Sequence, residues 1–310
     1  MKTDHERPGE ALAPVLAQLN AVVLGKEEQI KMALTCLLAR GHLLIEDLPG
    51  LGKTVLAHAL GISLGLEYKR VQFTSDLLPG DIIGSSIYDR NKGEFRFTEG
   101  PVFTQLLLAD EINRATPKCQ SALLEAMEER QVSVDGATRR LPEPFFLIAT
   151  QNPMEQSGAF PLPESQLDRF LLRIAMGYPG RTAELELLRG EDRRRMLGGL
   201  EPIITPPQLL ELQQRVEEVR VSDAVLEYLY RILDFTRNSE MFQVGLSTRA
   251  GLCLLRAAQA WAVLHDEDKL LPGDIQKVLP AAVGHRLLPV TGRMSSARIG
   301  EEIISKVDVD

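Results

Sequence analysis

The chain has 310 residues, 44% hydrophobic and 25% charged, with a formal net charge of −8. That is globular composition, long enough for one large domain and a smaller one. The acidic balance counts against a nucleic-acid binder, whose phosphate contacts need clustered Lys and Arg.

The basic run Arg193-Arg194-Arg195 follows Glu191-Asp192 and reads as a solvated helix face. The longest apolar runs, such as 106–109 and 145–149, fall well short of the roughly 20 residues that cross a bilayer. Met1–Pro8 contains no apolar segment that reads as a secretion signal, so a cytoplasmic protein is expected. Cys36, Cys119 and Cys253 lie far apart without C-x-x-C spacing, and Cys119 and Cys253, at apolar positions of helical patterns, read as buried thiols. The histidines show no paired ligand spacing, and no zinc site is expected.

In chain order, Leu43-Leu44-Ile45 reads as a first strand, followed by a helix over 54–64 and a strand over 68–73. A strand over 105–109, a helix over 117–130 and strands over 145–150 and 170–174 complete the first part. Strand–helix alternation of this kind predicts a parallel five-stranded sheet with helices on both faces, an α/β architecture. At Gly177-Tyr178-Pro179-Gly180 the pattern changes, and apolar residues then recur only at helical spacing. Ser222 reads as the N-cap of a helix carrying Val225, Leu226, Leu229, Tyr230 and Leu233, and further helices are expected over 247–264 and 272–283. The expected division is therefore an α/β domain over 1–180 and an all-helical one over 181–310.

The strongest local signal is Gly50-Leu51-Gly52-Lys53-Thr54, between a predicted strand and a predicted helix. Glycines there let backbone N–H groups wrap phosphate oxygens, and the helix N-terminus adds positive potential. Lys53 is placed to reach the β- and γ-phosphates of ATP, and the Thr54 hydroxyl to bind Mg²⁺. Asp47 stands where the G-x-x-x-x-G-K-[ST] pattern has its first glycine, and is tolerated if its carboxylate turns away from the phosphates.

The strand Leu106-Leu107-Leu108-Ala109 ends in Asp110-Glu111, at the sheet edge where open α/β sheets bind ligands. Asp110 is expected to hold Mg²⁺ through its water shell and Glu111 to activate the attacking water. The next strand ends at Gln151-Asn152-Pro153, where an amide can sit between the γ-phosphate and that water.

These motifs resemble the AAA+ ATPases, and their wording is close to the MoxR branch. The matching stretches run in order: Val23-Leu24-Gly25-Lys26-Glu27, Leu48-Pro49-Gly50-Leu51-Gly52-Lys53-Thr54, the segment 72–82, Glu99-Gly100-Pro101-Val102-Phe103, the segment 108–115, Ala149–Pro153 and Leu162–Phe170. The resemblance implies a P-loop sheet domain, a helical lid, ATP between them, and a neighbouring subunit closing the site in a hexameric homo-oligomeric ring. It implies that Pro49, Leu51 and Val55 join the loop in holding nucleotide and that Val23, Leu24 and Gly25 border the adenine. Asn152 matches sensor 1, Arg169 the arginine finger that acts on the neighbour's nucleotide, and Arg249 sensor 2, although Thr248 stands where many relatives have proline.

Two insertions match those of the same branch: one within 76–97, and a hairpin turning at Asp135-Gly136. In relatives such elements face the ring pore or the substrate. Arg114 is a candidate interface contact. The implied activity is ATP hydrolysis that drives remodelling of partner proteins, chaperone-like maturation or metal loading, with a von Willebrand factor A domain protein as companion. Two other classes compete: a nucleic-acid motor, which a strand-displacement assay detects, and a nucleotide-gated scaffold, which releases no phosphate.

Overall fold

The computed structural model describes residues 8–153, 158–190, 196–292 and 294–309. The N-terminal segment 1–7 and the basic run 193–195 lie outside the described residues.

Helices α1 (Pro8–Val22) and α2 (Glu27–Leu38) precede strand β1 (Leu43–Glu46), which leads into α3 (Lys53–Ser63) and β2 (Tyr68–Gln72). A short α4 (Pro79–Ile83) introduces the hairpin β3 (Gly84–Asp89) and β4 (Glu94–Glu99). Next come β5 (Leu106–Asp110), α5 (Pro117–Glu129), the hairpin β6 (Gln131–Val134) and β7 (Ala137–Arg140), β8 (Phe146–Gln151), the single turn α6 (Glu164–Leu167) and β9 (Leu172–Ile174). The described residues beyond β9 hold only helices: α7 (Arg181–Arg189), α8 (Pro206–Glu218), α9 (Asp223–Asn238), α10 (Thr248–Leu264), α11 (Pro272–Val283) and α12 (Ser296–Lys306).

The five expected strands form one parallel sheet in the order β2-β5-β8-β1-β9. Its central strands are continuous apolar runs because both faces are covered; every residue of β5 is buried. Successive side chains alternate between two cores. Leu43, Ile45, Leu106, Leu108, Phe146 and Ile148 face α1, α2 and α3, while Leu44, Leu107, Ala109, Leu147 and Ala149 face α5. Each such leucine or isoleucine contributes about 1.5–3 kcal/mol by leaving water.

The first core does not stop at the sheet. Leu12, Val15, Ile30 and Leu34 of α1 and α2 share one apolar cluster with Leu254, Trp261 and Ile275 of α10 and α11. Serine caps set the helix starts: the Ser222 hydroxyl accepts from Val225 N and the Ser247 hydroxyl from Ala250 N.

Strand β9 begins at Leu172 rather than at the expected Phe170. The Phe170 N–H is taken by Leu167 O in a turn, and its carbonyl accepts from the Arg286 and His285 side chains. Those groups are therefore unavailable to the ladder. Arg173, on β9, donates to Gly284 O at 2.6 Å and to the Ser296 hydroxyl at 2.8 Å, so the helical region is stitched to this edge strand.

Both insertions are hairpins. Asp135 (φ 52°) and Gly136 (φ 76°) make a two-residue turn with both central residues at positive φ, which suits the twist of β6 and β7. The hairpins meet where the Arg139 guanidinium lies 3.8 Å from the Phe97 ring centre, and Ile87, Tyr88 and Phe95 stay exposed beside them. No helix among the described residues is long and apolar enough to cross a membrane. Cys36 and Cys119 are buried and Cys253 half-buried, all as free thiols.

Candidate nucleotide site

Three strand ends converge at the C-terminal edge of the sheet. β1 runs into the glycine-rich loop, β5 into Asp110-Glu111 and β8 into Asn152. They enclose a cleft of about 520 Å³. Its walls are Pro49, Gly50, Gly52, Lys53, Thr54 and Val55 on one side and Asp110, Glu111 and Asn152 on another. Arg70 and Gln72 of β2, Leu187 of α7 and Gly190 just beyond it complete the lining. A larger cleft of about 640 Å³ lies among α2, β9, α11 and α12, but it is mostly apolar and holds none of these groups. The chemistry places the site in the smaller one.

Gly50 and Gly52 have φ of +83° and +86°, and no atom lies within 4 Å of where a Cβ would stand on either. The glycines answer to backbone conformation, and the space before their N–H groups is open. That open cradle, at the start of the 11-residue helix α3, fits a phosphate chain. Lys53 Nζ donates to Asp47 O at 2.5 Å, arching back over the loop. Burial holds its pKa below the usual lysine value, while Asp47, Asp110 and Glu111 pull the other way. The ammonium thus faces carboxylates across the space where phosphates fit.

The Asp47 side chain turns away from the cradle. Its Oδ1 accepts from Leu48 N at 2.8 Å and its Oδ2 from Gly177 N at 2.5 Å. Nearby, Lys26 Nζ donates to the carbonyls of Met176, Gly177 and Tyr178, so the segment leaving β9 is tied to the loop from two sides. Asp47→Ala is therefore expected to leave ATP affinity within a few-fold. It should lower folding stability by about 1–3 kcal/mol, the worth of a hydrogen bond to a charged group. Titration with a fluorescent ATP analogue and a denaturant melt read the two effects. A 100-fold gain in affinity, about 2.7 kcal/mol, would mean that the carboxylate repels nucleotide.

Asp110 is buried at the end of β5. Its Oδ1 accepts from the Thr150 hydroxyl at 2.6 Å, and its Oδ2 takes two bonds from Arg70, from Nε at 3.0 Å and Nη2 at 2.7 Å. Thr150 also accepts from Glu111 N at 2.9 Å, which fixes the turn out of the strand. Glu111 itself lies in the left-handed region (φ 57°, ψ 49°), a conformation non-glycine residues seldom adopt. This kink breaks the strand's alternation and brings both carboxylates to one cleft. Glu111 Oε2 accepts from Gln72 Nε2 at 2.8 Å and from Arg114 Nη1 at 3.3 Å.

Arg70 Nη2 also reaches Gln72 Oε1 at 2.8 Å, so a relay along β2 joins both acids. Sequence reading missed Arg70 and Gln72. The signal was their shared parity on β2, but only the pairing of Gln72 with Asp110 across to β5 shows its meaning.

Asn152 is buried and lines the cleft, with its backbone carbonyl accepting from Asn113 Nδ2 at 3.4 Å. No cluster of three or more His, Cys, Asp and Glu able to hold a metal by itself occurs among the described residues. Thr54 and Asp110 suit Mg²⁺, which takes few protein oxygens and shares the rest between water and phosphates. Mg²⁺ held by Asp110 through water would leave the Arg70–Asp110 ion pair in place.

The remaining expected residues lie elsewhere. Val23, Leu24 and Gly25 are not among the lining residues; Gly25 packs against Ala183 at the start of α7, the helix that contributes Leu187. Arg169 and Arg249 do not line their own chain's cleft either. Arg169 Nη1 donates to Leu124 O at 2.8 Å. Arg249 Nη2 holds both oxygens of Glu128 at 2.7 Å, and that bond raises its pKa further. The two arginines sit one turn of α5 apart on one surface. The start of the helix that carries Arg249 is anchored to α5, the helix that also holds Arg169. Arg114, a candidate interface residue, is an ion-pair partner of Glu111.

A parallel P-loop sheet with paired acids, followed by a helical lid, defines an AAA-type ATPase. The family described as "ATPase family associated with various cellular activities (AAA)" matches residues 42–172, and the AAA lid domain matches 234–307. The chain is 37% identical to the chaperone MoxR1 of Mycobacterium tuberculosis, over 96% of this chain and 80% of that protein. It is 32% identical to protein MoxR of Paracoccus denitrificans, over 87% and 86% of the two. With the uncharacterized protein YeaC of Bacillus subtilis identity is 46%, over 90% and 88%. The crystal structure of an ATPase candidate from Cytophaga hutchinsonii superposes with a TM-score of 0.87 at 35% identity, covering 97% of this chain and 95% of that one. The chain belongs to the MoxR-type AAA+ ATPases.

Proposed function

We propose that the chain hydrolyses Mg-ATP at sites shared between neighbouring copies of itself in a hexameric ring, and uses the resulting change of angle to remodel a partner protein. The supporting observation is a division of labour within one chain. Lys53, Thr54, Asp110, Glu111 and Asn152 gather at one cleft, while Arg169 and Arg249 stand together on another surface. A head-to-tail ring joins those two surfaces at every interface.

In this reading the Gly50–Thr54 loop and Lys53 bind the phosphates. Thr54 and Asp110 hold Mg²⁺, which neutralises charge on the β- and γ-oxygens when bound. Glu111, oriented by Gln72, takes a proton from the attacking water while Asn152 positions it. Arg169 of the adjacent copy stabilises charge on the transferred group. Residues 1–180 then form the nucleotide-holding domain and 181–310 the moving one.

The MoxR1 relative is named a chaperone, and we extend that role here, with a von Willebrand factor A domain protein as the companion. Two measurements test the reading. Purified protein should release phosphate from ATP only with Mg²⁺ present; an assembled protein that binds ATP and releases none is a scaffold instead. A tagged, hydrolysis-deficient chain recovered from its native host should bring down a von Willebrand factor A domain protein, and its consistent absence counts against that partner.

A further inference from the structure

Arg286 follows α11, and its side chain is only 4% exposed. Burying a guanidinium is costly unless all its N–H groups find partners. Here all five do. Nε donates to Asp168 Oδ1 at 2.7 Å; Nη2 donates to Asp168 O at 3.1 Å and Phe170 O at 2.7 Å. Nη1 donates to Leu171 O at 3.2 Å and to Ala282 O of the preceding helix α11. The neighbouring His285 adds Nε2, 2.9 Å from Phe170 O.

Four of Arg286's acceptors belong to residues 168–171, the segment that carries Arg169. An apolar side chain of similar size could fill this space without burying a charge. It could not hold backbone carbonyls on both sides of the half-buried Arg169. Asp168 also faces the second arginine: its Oδ2 lies 4.0 Å from Arg249 Nε. One carboxylate thus stands between the buried Arg286 and the surface Arg249, while α5 holds the tips of Arg169 and Arg249 through Leu124 O and Glu128.

We propose that Arg286 is a positioning residue for hydrolysis at the neighbouring subunit: it fixes Arg169 and, through Asp168, Arg249 as one unit facing the adjacent copy's triphosphate. It touches no nucleotide itself. The proposal rests on the reading that Arg169 acts across an interface, and it places the structural support for that action in the helical region.

Two variants test it. Arg286→Lys keeps the charge but has three donors and no planar fork, so it cannot satisfy the same acceptors. Asp168→Ala cuts the carboxylate arm and leaves Arg286 on its carbonyls, so it decides the matter if Arg286→Lys does not fold. Both should bind a fluorescent ATP analogue as wild type does. Both should lose turnover by on the order of 100-fold, the effect of misplacing a catalytic group by about an ångström.

Each variant is then mixed with Lys53→Ala, whose nucleotide loop is disabled but whose finger segment is intact. Activity should return, because intact clefts then meet well-held arginines. Damage that spreads to the variant's own cleft leaves the mixture inactive and overturns the proposal, as does wild-type turnover by the folded variants alone. A parallel mixture of Arg169→Ala with Lys53→Ala separates the two claims. If that pair fails to recover, the shared-site reading fails; if it recovers and the Arg286→Lys and Asp168→Ala mixtures do not, only the role of Arg286 does.

Discussion

Glu111→Gln is expected to bind ATP with near wild-type affinity and to release phosphate about 10²–10⁴-fold more slowly, the range for loss of a general base. The affinity survives because Glu111 holds none of the loop that cradles phosphates. Its carboxylate bonds Gln72 and Arg114, whereas Lys53 Nζ bonds Asp47 O of the loop. A glutamine keeps that shape and loses the basic oxygen. Lys53→Ala should fail earlier, at binding, because it removes the one lysine that lines the cleft among the described residues. Equilibrium titration with a fluorescent ATP analogue and single-turnover phosphate release separate the two defects. Wild-type turnover by Glu111→Gln would remove the role assigned to this residue.

Arg169→Ala should also bind ATP normally and hydrolyse it poorly, for a different reason. Its guanidinium stands outside its own chain's cleft, so its loss leaves that cleft complete. Arginine fingers delivered to a phosphoryl-transfer site elsewhere are worth roughly 10³–10⁵ in rate, and a loss toward that range is expected. Mixed with Lys53→Ala, it should regain part of the activity, since some interfaces then join a sound loop to a sound finger. Native mass spectrometry establishes that mixed rings form. If they form and stay inactive, Arg169 does not act across the interface.

Sheet and cleft were legible in the sequence to very different depths. The central strands were readable because parallel strands buried on both faces need unbroken apolar runs, and 106–109 and 145–149 are such runs. The loop was readable because its chemistry demands glycines and a lysine in a fixed order. Arg70 and Gln72 were not, since a charged residue on a strand resembles an ordinary solvated face until the neighbouring strand is known. Only the β2–β5 pairing sets Gln72 opposite Asp110.

The position of Arg249 was hidden for a similar reason. Its motif marks a helix start, which the Ser247 cap fixes, but nothing local says that this helix end lies over α5 rather than over its own loop. Arg286 gave no signal at all: its partners lie 115 to 118 residues away in the chain, save the Ala282 carbonyl.

In the proposed ring one chain holds half of each site. That division is tested most directly by phosphate release per subunit, measured from dilute monomer up through the concentration at which light scattering detects assembly. Turnover near zero is expected for the monomer, with a steep rise that follows ring formation. A monomer that hydrolyses ATP at the full rate per subunit would contradict it, because every group required for the chemistry would then reside in a single chain.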